Sequence, residues 1–189
     1  MVKTIQEPTL FTWIVSPTVI YGRHQSAEVE VNEAYCAEHD IAVVQRQSGG
    51  GCVYADLGNL MISYIEPSAR SDLRQHSESA FTRFLLLIAR ALQEKGLPAV
   101  TTAHNDILVD GRKVSGWACY TCPTGTIVHG TMLYDVNLEA LQQAITPTQE
   151  KLNKHGVASV RQRVANLNEL TDAFADIHAL RAYIEEYGN

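Results

Sequence analysis

From Leu10 to Val136 the chain alternates short apolar, β-branched runs with breaks rich in Gly, Pro, Asn and Asp, which is the pattern of strands joined by tight turns. The runs predict strands at Leu10–Val15, Thr18–Gly22, Ile41–Val44, Cys52–Tyr54, Leu60–Ile65, Ile107–Val109 and Thr126–Val136. Pro17 marks the first turn, and Pro67–Ser71 reads as a loop. Asp110-Gly111 is a two-residue hairpin signal, because both residues tolerate positive φ. Its return strand runs through Lys113, Val114, Ser115, Gly116, Trp117 and Ala118, and strict alternation puts Lys113 and Ser115 on one face.

Helical spacing is clearest from about Asp72 or Ser77 to Lys95, where Phe81, Phe84, Leu85, Ile88 and Leu92 recur on one side. Gly96 stops that helix and Pro98 lies two residues beyond. Residues 27–38 read as a second helix. Asn137 reads as the N-cap of a third over Leu138–Ile145, ended by Thr146-Pro147. Thr148–Gly156 is polar, helical or loop-like; Asn166–Leu170 predicts one helical turn and Ala173–Tyr187 a last helix. Local hairpins combined with segregated helices predict an α+β fold, a mixed or antiparallel sheet packed with helices.

Length changes this picture only by predicting one domain over residues 1–189 with a substantial core. The formal net charge of −6 argues against general nucleic-acid binding. The most apolar run, Phe84–Ala89, is too short to span a bilayer and is bracketed by Arg83 and Arg90. No secretory signal is visible at the N-terminus. Cysteines at 36, 52, 119 and 122 make no disulfide framework, which predicts reduced thiols and a cytoplasmic protein without a membrane partner. The lone CxxC of Cys119 and Cys122 is a weak zinc signal and reads as structural.

The candidate chemistry sits in two stretches. Arg46–Asn59 reads RQSGGGCVYADLGN, and its glycines at 49, 50 and 51 admit φ values closed to other residues. Successive N–H groups in such a loop form an anion-binding nest, with Ser48 adding a hydroxyl and Arg46 a charge. Asn105–Ala118 reads NDILVDGRKVSGWA and supplies one lysine on a hairpin. A glycine loop facing a fixed ammonium is a cradle for a phosphate beside a carboxylate. Outside that pairing, the triplet is a surface turn and Lys113 a solvated hairpin lysine.

These stretches, with Gly22-Arg23-His24-Gln25, His129-Gly130-Thr131, Ser159-Val160-Arg161, Arg163-Val164 and Asn166-Leu167, resemble the lipoate–protein ligase A family in collinear order. The resemblance implies the biotin/lipoate ligase-like catalytic fold. It also implies ATP-dependent activation of lipoic acid to lipoyl-AMP, then transfer to a lysine of a lipoyl carrier domain. Such carriers belong to 2-oxoacid dehydrogenases or are the glycine cleavage H protein. Lys113 matches the essential lysine and Asp106 an acidic residue near the phosphates, a candidate Mg²⁺ ligand. By the same matching, Arg46, Ser48, Gly49, Gly50, Gly51, Cys52, Val53 and Asn59 are implied to bind lipoate or lipoyl-AMP. So are Asn105, Ser115, Gly116, His129, Gly130 and Thr131. Arg46 is expected to meet the carboxylate or phosphate.

The chain departs from the family pattern in carrying Ala55 where many members have histidine and Gln45 where many have arginine. It also lacks the usual first strand and helix and the C-terminal accessory domain, so a separate accessory subunit for activation is expected. Two alternatives share the fold: an octanoyl or lipoyl transferase without the activation step, and a non-catalytic lipoyl-adenylate-binding subunit.

Overall fold

Alternation of buried and half-exposed residues builds the main sheet. The computed structural model describes residues 6–67, 73–145 and 164–188, with backbone alone at 73–76. Six strands pair antiparallel in the order β1 (Thr9–Trp13), β5 (Asn59–Pro67), β9 (Gly125–Leu133), β8 (Arg112–Cys122), β7 (Asp106–Val109) and β6 (Ala99–Thr101). A smaller sheet sets β2 (Thr18–Tyr21) between β3 (Ala42–Gln45), which is parallel to it, and β4 (Val53–Ala55), which is antiparallel. This is the α+β fold the pattern predicts.

Register assigns the two faces of the main sheet. Leu60, Met132, Ser115 and Ile107 form one cross-strand row, and Ile62, Gly130 and Trp117 form the next. These rows belong to the large core, covered by helix α3 (Leu73–Glu94) and by α5 (Ile177–Gly188). On α3, Phe84, Leu85, Ile88 and Leu92 are all buried. Each contributes about 1.5–3 kcal/mol from apolar burial. Phe84 stacks on Tyr64 and meets the Trp117 ring edge-on at 5.2 Å. Gly96, at φ +82°, ends the helix as predicted.

The opposite face carries the rows Met61, Thr131, Gly116, Asp106 and Ser63, His129, Ala118. The small sheet lies on this side. A second core of Val19, Cys36, Ile41, Tyr54, Leu133 and Val136 joins it to the main sheet.

Three elements differ from the sequence pattern. Residues 27–38 form two short helices, α1 (Ala27–Glu30) and α2 (Glu33–Glu38). Between them Val31 bridges Ile145, the Asn32 N–H bonds Ala144, and the Asn32 side chain caps α2 at Tyr35. That pairing with the end of α4 (Leu138–Ala144) holds the chain extended where helical spacing alone continues it. Asn137 caps α4 by accepting from Glu139 and Ala140, as expected. Strand β6 was not predicted: it is three residues long and exists through its pairing with β7.

The last helix starts at Ile177, after a 3₁₀ turn at Leu167–Glu169. The expectation for 148–156, most of the Pro67–Ser71 loop, and the family matches at Ser159, Val160, Arg161 and Arg163 lie outside the described residues. Cys119 and Cys122 stand three apart on one strand, so they face opposite sides. None of the four cysteines is in a disulfide.

Candidate active site

The hairpin that carries the lysine is irregular in a way that aims it. Asp110 and Gly111 turn at φ +49° and +73°, the two positive values the dipeptide predicts. The β7–β8 register then shifts between Ile107 and Leu108, so that Leu108 pairs with Lys113 but Ile107 with Ser115. Val114 is the extra residue of a β-bulge. The bulge resets the alternation and corrects the expectation that Lys113 and Ser115 share a face. Lys113 lies with Gly116, while Ser115 is fully buried on the core side and donates to the Thr131 carbonyl. A Cβ on Gly116 would stand 2.9 Å from the Lys113 Nζ, so the missing side chain is the space that the lysine folds over.

The Lys113 Nζ sits 2.7 Å from Asp106 Oδ1. Asp106 opens β7 after a tight turn in which Asn105 adopts φ +65°. There the Thr102 hydroxyl accepts from the N–H groups of His104 and Asp106. The Asn105 carbonyl in turn accepts from the Trp117 N–H at 2.9 Å, locking the turn to β8.

The glycine loop joins β3 to β4 and hangs over the same face. Of its three glycines only Gly50 has positive φ, at +91°. Gly49 and Gly51 have ordinary φ, and a Cβ at Gly51 would meet nothing within 4 Å. The expectation that the whole triplet needs special backbone freedom therefore narrows to Gly50.

Arg46 lines the cavity and is engaged by the loop itself. Its Nε bonds Ser48 Oγ and the Gly49 carbonyl, Nη1 the Ile20 carbonyl, and Nη2 the carbonyls of Gly49 and Gly51 at 2.8 and 2.6 Å. In this structure the guanidinium grips the loop backbone. Burial lowers its pKa from the usual arginine range, opposed by Cys52.

The loop is tied to the main sheet by the bond between Ser48 Oγ and His129 Nε2 at 2.7 Å. Burial first, and the Arg46 charge second, lower the His129 pKa to about 4, so the ring is neutral. A neutral Nε2 can accept the Ser48 hydroxyl proton.

Together these elements enclose a cavity of about 200 Å³. Its lining is polar at Lys113, Asp106, Asn105 and His104 and apolar at Ile20, Val53 and Met61. Arg46, Gly50, Gly51 and Cys52 edge it from the loop, with Gly116, Trp117, Ala118, His129, Gly130 and Thr131 along the sheet. Two larger hollows, about 780 and 650 Å³, are more open grooves elsewhere. One runs along α3 to Tyr187 and the other lies around Asp56, Asp135 and Asp176, and among the described residues neither contains a lysine.

Four expected site residues do not line the cavity. Ser48 and Gly49 stand behind the loop surface, and Ser115 faces the core. Asn59 is fully buried, with its amide nitrogen 3.0 Å from the Met61 sulfur and its Oδ1 without a partner. Gly130 lines the cavity by its backbone, and its missing side chain answers a need on the other face. A Cβ there would run into the Trp117 indole and come within 2.7 Å of the Gly116 carbonyl.

Sequence reasoning missed Ile20, Met61, His104, Trp117 and Ala118. His104 was signalled by its place beside Asn105; Ile20 and Met61 arrive only through the pairing of distant strands. Among the described residues no three His, Cys, Asp or Glu side chains converge as a metal site, so Asp106 is a lone carboxylate.

This geometry has counterparts. Residues 1–187 match the family model described as the lipoyl protein ligase A/B catalytic domain. The chain is 33% identical over 179 residues to a lipoate–protein ligase of Bacillus subtilis, covering 95% of this chain and 53% of that protein. It is 36% identical to lipoate–protein ligase 1 of Staphylococcus aureus, with the same coverage. The chain thus spans about half the length of these curated relatives.

Among solved structures, the bipartite lipoate protein ligase of Thermoplasma acidophilum superposes with a TM-score of 0.82 at 28% identity, covering 98% of this chain and 74% of that one. A Thermoplasma acidophilum structure with bound lipoic acid gives 0.80 at 26%, covering 98% and 76%. Lipoate–protein ligase A bound with ATP gives 0.77 at 27%, covering 96% and 73%. With its own strands, loop and lysine arranged in the same fold, this chain belongs to the lipoyl protein ligase A/B catalytic-domain family.

Proposed function

We propose that residues 1–189 form one catalytic domain that activates lipoic acid with ATP to lipoyl-AMP and passes the lipoyl group to a lysine of a carrier domain. One observation carries this reading: a cavity lined by apolar Ile20, Val53 and Met61 together with the Lys113–Asp106 pair and a glycine loop. That combination suits an acyl chain whose carboxylate is the reacting end. Support also comes from relatives named lipoate–protein ligases and from similar structures that hold lipoic acid and ATP.

In the first step the acid's carboxylate attacks the ATP α-phosphorus and pyrophosphate leaves. In the second, the carrier amine attacks the acyl carbon and AMP leaves. Negative charge gathers between the acyl oxygen and the α-phosphate in both steps. The Lys113 ammonium, held by Asp106 and by the packing of Gly116, is preorganised charge at that place, a term worth several kcal/mol in a dry site. Asp106 and Asn105 line the phosphate side. Asp106 is the carboxylate among the described cavity residues and fits the mode in which Mg²⁺ is shared between one carboxylate and substrate phosphates. Mg²⁺ there would neutralise phosphate charge.

The carriers fitting this chemistry are the lipoyl domains of 2-oxoacid dehydrogenases or the glycine cleavage H protein. A separate accessory subunit is a further candidate partner, as in the bipartite ligase. Four cysteines without a disulfide suit a reducing cytoplasm, and no described helix is long and apolar enough to cross a membrane.

The test is to follow both half-reactions on the isolated chain by the mass of a carrier domain. One reaction starts from lipoate, ATP and Mg²⁺, and the other from synthetic lipoyl-AMP. Lipoylation in both supports the ligase. Modification only from lipoyl-AMP, or only from an octanoylated carrier, would move the assignment to a transferase. Binding without modification would make the chain a non-catalytic subunit.

A further inference from the structure

We propose that the carrier protein docks on the outer strands of the main sheet beside Lys113. Val100 and Leu108 are the apolar centre of that contact, and an aliphatic side chain next to the carrier's target lysine packs on them. The inference rests on the acyl-transfer reading above and names the surface by which that same site takes its protein substrate.

Register places the patch. Leu108 pairs with Lys113 and Val100 pairs with Leu108, so the three residues form one cross-strand row. Residues directly opposite in antiparallel strands share a face. Leu108 also shares a face with Asp106, two residues back on β7, so the row stands on the cavity side of the sheet. Adjacent strands lie about 4.8 Å apart, which puts Leu108 roughly 5 Å and Val100 roughly 10 Å from Lys113 across the sheet.

Toward β9 and β5 the glycine loop and the small sheet lie over this face. Toward β6 the sheet ends, with Val100 54% exposed and Leu108 half-buried. Val100 is not what holds β6 in place. Ala99 is fully buried in the core, and its carbonyl accepts from the Gln93 side chain on α3. An exposed aliphatic residue on an edge strand is a position that proteins without a use for it make polar.

The chemistry says what covers the patch. The carrier amine must reach the acyl carbon beside Lys113. A lysine is a four-carbon stem, so the surface around the carrier's lysine comes to rest within about one or two strand spacings of Lys113. The glycine loop occupies one side of the cavity, and β7 and β6 form the other. On that side exposed His104 and Asn105 flank the row at one end of β7 and exposed Asp110 at the other. An apolar centre with a polar rim is the anatomy of a protein contact. Two aliphatic side chains make a small centre, which suits a complex that must let its product go after each turnover.

The experiment uses the full chain and an apo lipoyl carrier domain. Val100→Glu and Val100→Lys are compared with the wild type in two reactions started from lipoate, ATP and Mg²⁺. One is lipoylation of the carrier. The other is capture by hydroxylamine, which attacks the acyl carbon of lipoyl-AMP, releases AMP and requires no docking surface. Both variants are expected to raise the KM for the carrier about tenfold or more, because each sets a charge against an apolar contact, and to leave hydroxamate formation within about twofold of wild type. An unchanged carrier KM overturns the proposal. So do opposite effects of the two charges, which would show recognition by charge, and so does an equal loss of hydroxamate, which would show a damaged cavity.

Methyl-labelled wild type separates docking from catalysis. Adding the carrier domain is expected to move the Val100 and Leu108 methyl resonances and to leave those of Leu57 and Leu86, which are exposed on the β4–β5 turn and on α3. If the wild type makes no hydroxamate, the ligase reading falls by itself and this titration judges the surface. It also judges the surface if a variant fails to fold. Unmoved Val100 and Leu108 methyls overturn the proposal. A wild-type dimer that Val100→Glu dissociates would give the patch to a second copy of this chain and overturn it as well.

Discussion

Lowering the pH should loosen this protein through His129 in a window set by its burial. The ring's pKa falls from an ordinary 6.5 to about 4 in the folded chain, chiefly by burial and then by the Arg46 charge. The unfolded chain therefore binds a proton that the folded chain refuses between those values. The neutral ring's contribution is complete above about pH 6.5 and is lost progressively as pH falls toward 4. At ~1.4 kcal/mol per pH unit, that gap of roughly 2.5 units amounts to about 3 kcal/mol as an upper figure. Against a typical stability of ~5–15 kcal/mol, such a loss is large. Protonation also removes Nε2 as an acceptor for Ser48, the bond that ties the glycine loop to β9.

The assay is urea unfolding of the wild type and His129→Gln at several pH values from about 7.5 to 4.5. Glutamine retains a carbonyl acceptor but does not titrate, so the difference between the two proteins isolates the histidine from the carboxylates. The wild type should lose stability relative to His129→Gln as pH falls, by on the order of 2–3 kcal/mol near the bottom of the range. A pH-independent difference, or an imidazole resonance that titrates near 6.5, would refute the reasoning.

Lys113→Met should preserve the fold, because the side chain is part-exposed on a hairpin, and should slow both half-reactions roughly 10²–10³-fold. Near wild-type rates in the carrier-mass assay would remove Lys113 from the mechanism. Gly50→Ala should cost about 1–2 kcal/mol in thermal unfolding from its left-handed φ, whereas Gly51→Ala should be nearly neutral because its Cβ enters open space. Equal costs at the two positions would contradict the loop geometry. Gly130→Ala should destabilise by about 1–3 kcal/mol through collision with Trp117. Pairing it with Trp117→Leu should recover part of that loss, and a purely additive pair would place the strain elsewhere.

Much of the architecture was local enough to be written along the chain. Strand alternation, the Asp110-Gly111 turn, the Asn137 cap and the Gly96 stop each depend on a few neighbouring residues, and the structure contains all of them. The stretches around Arg46 and Lys113 could be singled out for the same reason, since glycine runs and hairpin turns are short-range signals. What a side chain faces is not short-range. The Val114 bulge, set by how β8 pairs with β7, moved Ser115 to the core and left Lys113 with Gly116.

Arg46 could be read from sequence as a charge for the ligand. Only the folded loop brings the carbonyls of Ile20, Gly49 and Gly51 to its guanidinium at the edge of the cavity. Gly130 looked like a place for a ligand, yet the register of β8 against β9 sets it opposite Trp117 and requires the missing side chain there. Ile20 and Met61 became cavity residues because two sheets meet face to face, a contact between segments far apart in sequence. Local propensity chose the elements of this protein. Strand pairing and the packing of one sheet on the other decided which of their side chains meet, because those energies depend on contacts that no stretch of sequence contains by itself.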